Sequence, residues 1–377
     1  MSATSDNHTN EKISAEKGKA FIASTPNYYQ KLGILESHIE PWEDGMRTDG
    51  SKGSYEWWYF DSILNDGSTL VIIFYTKDML KPNSPLSPYI EFKLDKPDGT
   101  LISKILRFSD KVFSANKDYC HVCIGDSTII GNLQEYTIHL SLADIKADLA
   151  LNSTVSSWRP CTGHLLFQNN YRNRYFAWLP SVPQGTIKGT VTINGYSQEI
   201  TGSGYHDHNW GNASLLELIH NWYWGRAQIG NYTIIANHIT ATKTYGNSIF
   251  NVFMLAYNGK IISNDSADVQ YYGNDIQIDS LTGKPVANLI VYDYIDDFSH
   301  YRISFKKEKN LVRERLIDNT KGLQYILTKL TWFNGAYLRF TGTAILERLE
   351  NNLVVEAVEQ KSVVWELMYF GKAPKIK

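Results

Sequence analysis

A chain of 377 residues exceeds the roughly 250–300 residues at which a single hydrophobic core stops growing, so two packed units are expected. Its 37 Lys and Arg against 39 Asp and Glu leave a net charge of −2 with no long block of one sign, which argues against a phosphate-binding surface and so against a nucleic-acid partner. Aromatic residues make up 13%, with 24 Tyr and 10 Trp, a composition suited to strands and to flat apolar walls around a cavity, while 3 Cys are too few for a disulfide framework.

From Met1 to about Lys19 the chain is polar and lacks the apolar run of a secretory signal. No stretch elsewhere approaches the roughly 18 apolar residues of a spanning helix. A cytoplasmic protein with a frayed N-terminal tail is therefore expected. Asn27 to Leu35 is one of two short helical candidates; Asn212 to Ile219 is the other. Between and beyond them, short aromatic and β-branched runs alternate with turn dipeptides that supply a positive φ cheaply. Asn65-Asp66-Gly67 separates Trp57 to Leu64 from Ser68 to Tyr75, and Asp98-Gly99 follows Tyr89 to Leu94. Asn194-Gly195 joins Gly189 to Ile193 with Tyr196 to Ile200, and Asn258-Gly259 follows Asn251 to Tyr257. Lys81 to Pro88 is a proline-rich surface loop. Cys120-His121-Val122-Cys123 has CxxC spacing but no second pair, and its flanks read as a strand, so buried or half-buried thiols are expected there rather than zinc.

The run Glu56-Trp57-Trp58-Tyr59-Phe60 is echoed about 165 residues later by Asn221-Trp222-Tyr223-Trp224, each followed by a turn and an apolar strand. The expected fold is all-β: residues 1–40 as tail and lead-in, then two consecutive antiparallel β-barrel or sandwich domains over 41–212 and 213–377, with few short helices.

Chemistry concentrates in Gly204-Tyr205-His206-Asp207-His208-Asn209-Trp210-Gly211. In an extended strand Tyr205, Asp207 and Asn209 share one face, and His206, His208 and Trp210 the other. Three readings are open. Asp207 can be a general acid or base beside Tyr205, its pKa raised by an apolar wall. His206 and His208 can be metal ligands if His164, His220 or His238 supplies a third. The segment can also be a polar network that ties a strand end to its sheet.

The aromatic runs offer a pocket floor or plain core. Arg226, two positions beyond Trp224, can pair with Asp207 or Glu56 or bind an anionic substrate group. No phosphate-binding glycine loop, nucleophile elbow or His-Glu-x-x-His helix occurs in a suitable context.

Tyr55 to Asp61 before a hairpin, the Gly204 to Gly211 segment, and Trp222-Tyr223-Trp224-Gly225-Arg226 together resemble the carotenoid 1,2-hydratase family of lipocalin-like proteins, over residues from about 40 to 260. The resemblance implies two lipocalin-like β domains and cofactor-free chemistry, in which an acid protonates an isoprenoid double bond and water captures the cation. It further implies that Asp207 is the proton donor and Tyr205 its neighbour. The same superfamily includes proteins that catalyse intramolecular Diels–Alder cyclisations of polyenes.

The expected protein is thus an enzyme that hydrates, isomerises or cyclises a long apolar isoprenoid or polyene without cofactor or metal. A polyene pericyclase and a non-catalytic carrier are the alternatives. Catalysis is expected from Asp207, Tyr205 and His206. Substrate contacts are expected from Glu56, Trp57, Trp58, Tyr59, Trp178, Asn209, Trp210, Trp222, Trp224, Arg226 and His238, with Trp57, Trp58, Trp222 and Trp224 in one pocket. The partner is a hydrophobic small molecule, with transient membrane-surface contact allowed for its uptake, and the protein is a monomer or weak dimer.

Overall fold

Several strands bury every second side chain, as period-two patterning demands. In Glu135–Leu142, for example, Tyr136, Ile138, Leu140 and Leu142 are buried while the residues between them are not. The computed structural model describes residues 18–169, 172–319 and 334–371. The expected N-terminal tail falls almost wholly outside the described residues.

The first sheet contains β1 (Lys19–Ile22), β2 (Tyr55–Leu64), β3 (Thr69–Tyr75), β4 (Tyr89–Asp95), β5 (Leu101–Arg107), β6 (Phe113–Ala115), β7 (Cys120–Ile124), β8 (Ser127–Gly131), β9 (Glu135–Leu142), β10 (Ile145–Ser153), β11 (His164–Asn169), β12 (Arg172–Ile193) and β13 (Tyr196–Gly211). Its order is β5-β4-β3-β2-β13-β12-β10-β9-β8-β7-β6, with β11 also on β12 and β1 on β11. The second contains β14 (Ile219–Ile229), β15 (Tyr232–Ala241), β16 (Ile249–Tyr257), β17 (Lys260–Ser263), β18 (Val269–Ile278), β19 (Pro285–Ile295), β20 (His300–Arg315), β21 (Ala336–Glu350) and β22 (Leu353–Tyr369), in the order β17-β16-β15-β14-β22-β21-β20-β19-β18. Every recorded pairing is antiparallel, which suits meanders joined by tight turns. The α-helices are short, α1 (Pro26–Leu32) and α2 (Leu215–Leu218), and α2 is shorter than its sequence suggested. Only one turn of Asn212 to Ile219 is helical because Ile219 already pairs with Ala241 in the second sheet.

All four sequence-read hairpins form. Asn194 and Gly195 have φ of 53° and 83°, and Asn258 and Gly259 have 48° and 80°, the two consecutive positive values of a type I′ turn. The CxxC segment lies on β7, with Cys120 buried and Cys123 half-buried, and the three cysteines are free.

Each sheet curls around its own core. Trp58, Phe60, Phe74, Phe92, Tyr136 and Leu149 belong to the first. Tyr223, Phe253, Tyr292, Phe305, Phe340 and Trp365 belong to the second. A third apolar cluster fills the seam between them, built from outward residues of both sheets such as Tyr55, Phe176, Trp178 and Tyr205 against Ile235, Ile239, Phe250 and Met254.

The two sheets repeat one local plan: β3-β2-β13-β12 in the first corresponds to β15-β14-β22-β21 in the second. β2 and β14, which carry the sequence echo, therefore occupy equivalent places. Equivalent residues meet across the seam, for Asp61 and Arg226 lie 165 positions apart and form an ion pair. Their side chains are each 8% exposed.

Removing one partner of such a buried pair strands the other charge, at a cost of about 3–5 kcal/mol. Arg226→Ala is expected to lower the unfolding free energy in urea by that amount, whereas the double replacement Asp61→Leu with Arg226→Met should cost much less. A single-variant loss below about 1 kcal/mol would mean that the pair does not hold the seam.

Candidate active site

β13 runs in register with β2 so that Tyr205 lies opposite Asp61, Asp207 opposite Tyr59 and Asn209 opposite Trp57. Directly opposed residues in an antiparallel pair project from the same face, so these six side chains point together into the seam. Asp207 Oδ2 accepts from Tyr205 Oη at 2.7 Å and from Trp178 Nε1 at 2.8 Å, and its Oδ1 accepts from Asn209 Nδ2 at 2.6 Å. The carboxyl is 7% exposed. Its burial outweighs the stabilisation of the anion by Trp178, Tyr205 and Asn209, and lifts its pKa from 3.8 to about 6. Burial and the adjacent carboxyl also push the Tyr205 phenol well above its ordinary range, so it stays a donor.

The second sheet closes this space with the equivalent face of β14, β22 and β21. The Trp224 ring meets Tyr205 edge-on at 5.7 Å, and the Arg226 guanidinium lies over the Tyr205 ring at 4.9 Å while it pairs with Asp61. Tyr59 donates to Asp61 at 3.1 Å. On β22, Glu366 accepts from Tyr337 Oη at 2.9 Å and from Trp222 Nε1 at 3.3 Å. Tyr59, Asp61, Trp224, Arg226, Arg339 and Glu366 are among the residues around a cavity of about 30 Å³ in the seam, room for a water or two.

The opposite face of β13 carries a polar network inside the first sheet. His206 is fully buried, stacked on Phe60 at 4.0 Å, with Nδ1 at 3.0 Å from the Tyr59 carbonyl and Nε2 at 3.1 Å from Asp44 Oδ2. His208 stacks on Trp58 at 4.7 Å, with Nε2 at 2.7 Å from Glu56 and Nδ1 at 3.5 Å from Asp44 Oδ1. Glu56 also accepts from the backbone of Arg47 and Thr48 and from the Thr48 hydroxyl. Burial works against ionisation of Asp44, yet His206 and His208, together with hydrogen bonds from His206 and Tyr136, hold its carboxyl below the ordinary range.

Several expectations are corrected by this geometry. His206, expected among the catalytic residues with Asp207 and Tyr205, is sent by the alternation of β13 to the other side of the sheet, where it bonds Asp44. Glu56, Trp58 and Trp210 share that far face; Trp58, 0% exposed, is core and does not join Trp57, Trp222 and Trp224 in a pocket. Arg226 pairs with Asp61 rather than Asp207 or Glu56, since Asp61 is its equivalent across the seam. His238 turns into the second sheet, stacked on Tyr271 at 3.8 Å and bonded to Asn251 at 2.8 Å.

Among the described residues, the His, Cys, Asp and Glu side chains close enough to share an ion are Asp44, Cys120 and His206, within 4.8 Å of one another. His164, His220 and His238 are not in that group. Within it, Asp44 and His206 already bond each other, and burial followed by the Asp44 charge pushes the Cys120 thiol well above its ordinary pKa, a poor state for a metal ligand. Asp44, Asp61 and Glu366 were not legible from sequence as site residues. Asp61 alone left a signal, as the residue that ends the first aromatic run.

A larger cavity of about 410 Å³ has Trp42, His164, Arg174, Tyr175, Trp178 and Trp210 in its wall. Trp178, a residue of this wall, also holds Asp207 through its Nε1.

The raised pKa of Asp207 has a consequence for stability. Between about pH 4 and 6 the folded protein holds a proton that the unfolded chain gives up, so this contribution is fully present below the unfolded pKa and is lost as pH rises through the folded one. A shift from 3.8 to about 6 corresponds to about 3 kcal/mol. Relative to Asp207→Asn, the wild-type unfolding free energy is expected to fall by about 2–3 kcal/mol from pH 4 to pH 6.5. Parallel pH profiles for the two proteins in urea titrations would contradict a raised pKa.

Sequence and fold comparisons agree with this architecture. Residues 46–309 match the Diels-Alderase-like family model. A quinolone epoxide rearrangement protein of Emericella nidulans is 25% identical over 205 residues, covering 48% of this chain and 53% of that protein. A hydroxyneurosporene dehydrogenase of Chlorobaculum tepidum is 28% identical over 209 residues, covering 46% of this chain and 53% of that protein. The chain thus spans about half the length of these two relatives. The crystal structure of CghA superposes with a TM-score of 0.61 at 15% identity, over 95% of this chain and 98% of CghA, a likeness of fold. With more than half of its length matched by the family model, the chain belongs to the Diels-Alderase-like family.

Proposed function

We propose that this protein is an enzyme that acts on an apolar isoprenoid, polyene or derived epoxide and starts its rearrangement, cyclisation or hydration by proton transfer from Asp207. The observation that carries this reading is the Asp207 carboxyl itself: desolvated, with a pKa near 6, and fixed by Trp178, Tyr205 and Asn209. A carboxylic acid poised there keeps a usable fraction of its proton near neutral pH. The surrounding indoles and phenols present π faces that stabilise a developing cation and keep water from capturing it early. The quinolone epoxide relative and the Diels-Alderase-like family support a substrate of this class. Such chemistry requires no redox cofactor.

Asn is nearly isosteric with Asp but has no carboxyl proton. Asp207→Asn is therefore expected to reduce turnover of an alkenyl quinolone epoxide or a linear polyene by about 10²- to 10⁴-fold with KM little changed. A near wild-type rate would shift the reading to cyclisation by shape and hydrogen bonding, for which an amide donor suffices. In the same proteins, a bound polyene should quench tryptophan emission, and quenching should weaken in Trp222→Leu and Trp224→Leu. Unchanged quenching in both would place the ligand away from the seam.

A further inference from the structure

The cavity of about 410 Å³ shares no wall residue with the small cavity of the seam, and its size falls within the range of small-molecule pockets, roughly 300–1,000 Å³. Part of its wall is set by strand register. His164 on β11 lies opposite Ala177 on β12, and Ala177 lies opposite Trp210 on β13. Directly opposed residues project from one face, and Tyr175, two positions from Ala177, shares it. The His164 ring accordingly lies 5.7 Å from that of Tyr175 and 5.6 Å from that of Trp210. Trp42, from the lead-in segment, adds a further indole to the wall.

Three polar atoms of these rings are left open. The Nδ1 of His164 lies 2.9 Å from the Thr162 carbonyl, which can only accept, so Nδ1 carries the proton. Burial lowers the pKa of this ring and keeps it neutral at neutral pH, so Nε2 is an acceptor. A histidine used for packing alone resembles His206, which is bonded through both nitrogens. His164 Nε2, the Tyr175 hydroxyl and Trp210 Nε1 bond no protein group among the described residues, and none of the three is sealed from solvent. One acceptor and two donors are the complement of a hydroxyl group, which offers one O–H and two lone pairs. The charge of the wall selects the kind of hydroxyl. Its cations, Lys31 and Arg47 among them, outnumber its one carboxylate, Glu43, which Arg159 already pairs at 3.0 Å. A positive surround favours an acidic O–H, whose oxygen gains negative charge as it donates, over that of an alcohol.

We propose that this cavity is a binding site for a phenol, whose aromatic ring lies among Trp42, Tyr175 and Trp210 and whose hydroxyl donates to His164 Nε2 and accepts from Tyr175 Oη and Trp210 Nε1. The inference does not rest on the role of Asp207. Aromatic surface alone would take any flat apolar molecule; His164 is what distinguishes a phenol from its ether.

The test uses the full chain at pH 7.0, with affinities from equilibrium dialysis for three probes of similar shape: 2-naphthol, 2-methoxynaphthalene, which accepts but cannot donate, and naphthalene, which does neither. Wild type is expected to bind the naphthol about tenfold more tightly than the ether, the worth of one partnered O–H in a desolvated site. His164→Phe should lose most of that preference at unchanged ether affinity, and His164→Gln, which again offers an acceptor, should recover part of it. Tyr175→Phe should weaken naphthol and ether together relative to naphthalene, Trp42→Ala should weaken all three, and Trp224→Leu in the seam should change none. A merely structural His164 would alter naphthol and ether alike. Wild type that binds no probe, or does not distinguish naphthol from ether, overturns the proposal, as does a preference that survives in His164→Phe. Loss of binding in Trp224→Leu with Trp42→Ala unaffected would put the phenol in the seam and equally overturn it. Should His164→Phe lack a melting transition, the nitrogen-15 resonance of His164 Nε2 in the wild type decides: it should move upfield with naphthol and not with the ether, and a resonance that stays in place with both refutes the assignment.

Discussion

Everything in this site depends on the alternation of side chains along β13. Consecutive residues in a strand must project to opposite faces, so a segment as dense in function as Tyr205 to Trp210 is divided between two environments. The odd positions reach the seam. The even positions reach the interior of the first sheet, where His206 and His208 are held by Asp44 and Glu56. Slipping β13 by one residue against β2 would exchange the two sets, placing the histidines in the seam and Asp207 in the core. The interior network, the stacking on Phe60 and Trp58, and the long register with β2 all oppose that slip.

The interior network therefore serves the site without touching it. It fixes the strand, and the strand fixes Asp207. Placing Asp207, Glu366, Asp61 and Arg226 in the seam costs desolvation, which the Asp61–Arg226 pair and the tyrosine and tryptophan donors offset. The residual cost is borne by the two carboxyls whose pKa burial raises. Perturbed carboxyls of this kind gather where protons are moved, and two of them in one aromatic seam is an arrangement that a simple carrier has little reason to maintain.

The repeated plan of the two sheets gives this arrangement an architectural basis. When two similar curled sheets meet through equivalent faces, residues at matching positions confront one another, and complementary substitutions at those positions are enough to build a pair. Asp61 with Arg226 is such a case. Asp207 and Glu366 occupy matching positions in the two sheets, each held by a tyrosine and a tryptophan of its own sheet. Similarity to CghA extends over the whole plan, but fold likeness leaves the reaction open, because function resides in the residues of the seam.

Local chemistry was sufficient to read the all-β class, the four hairpins and the face shared by Tyr205, Asp207 and Asn209, since turn residues and period-two alternation act over only a few positions. It also led to Asp207, because polar rings around one carboxylate between glycines are conspicuous in any order of strands. What the chain could not reveal by itself was which groups would meet across long separations. Asp44 lies 162 residues from His206, Asp61 lies 165 from Arg226, and Trp222 lies 144 from Glu366. Those meetings follow from strand order and from the way the two sheets pack, neither of which is written in any one segment. For the same reason His238 and Trp58 read as pocket residues and proved to be interior ones: an aromatic strand announces that a face is buried, and only the tertiary structure decides against what.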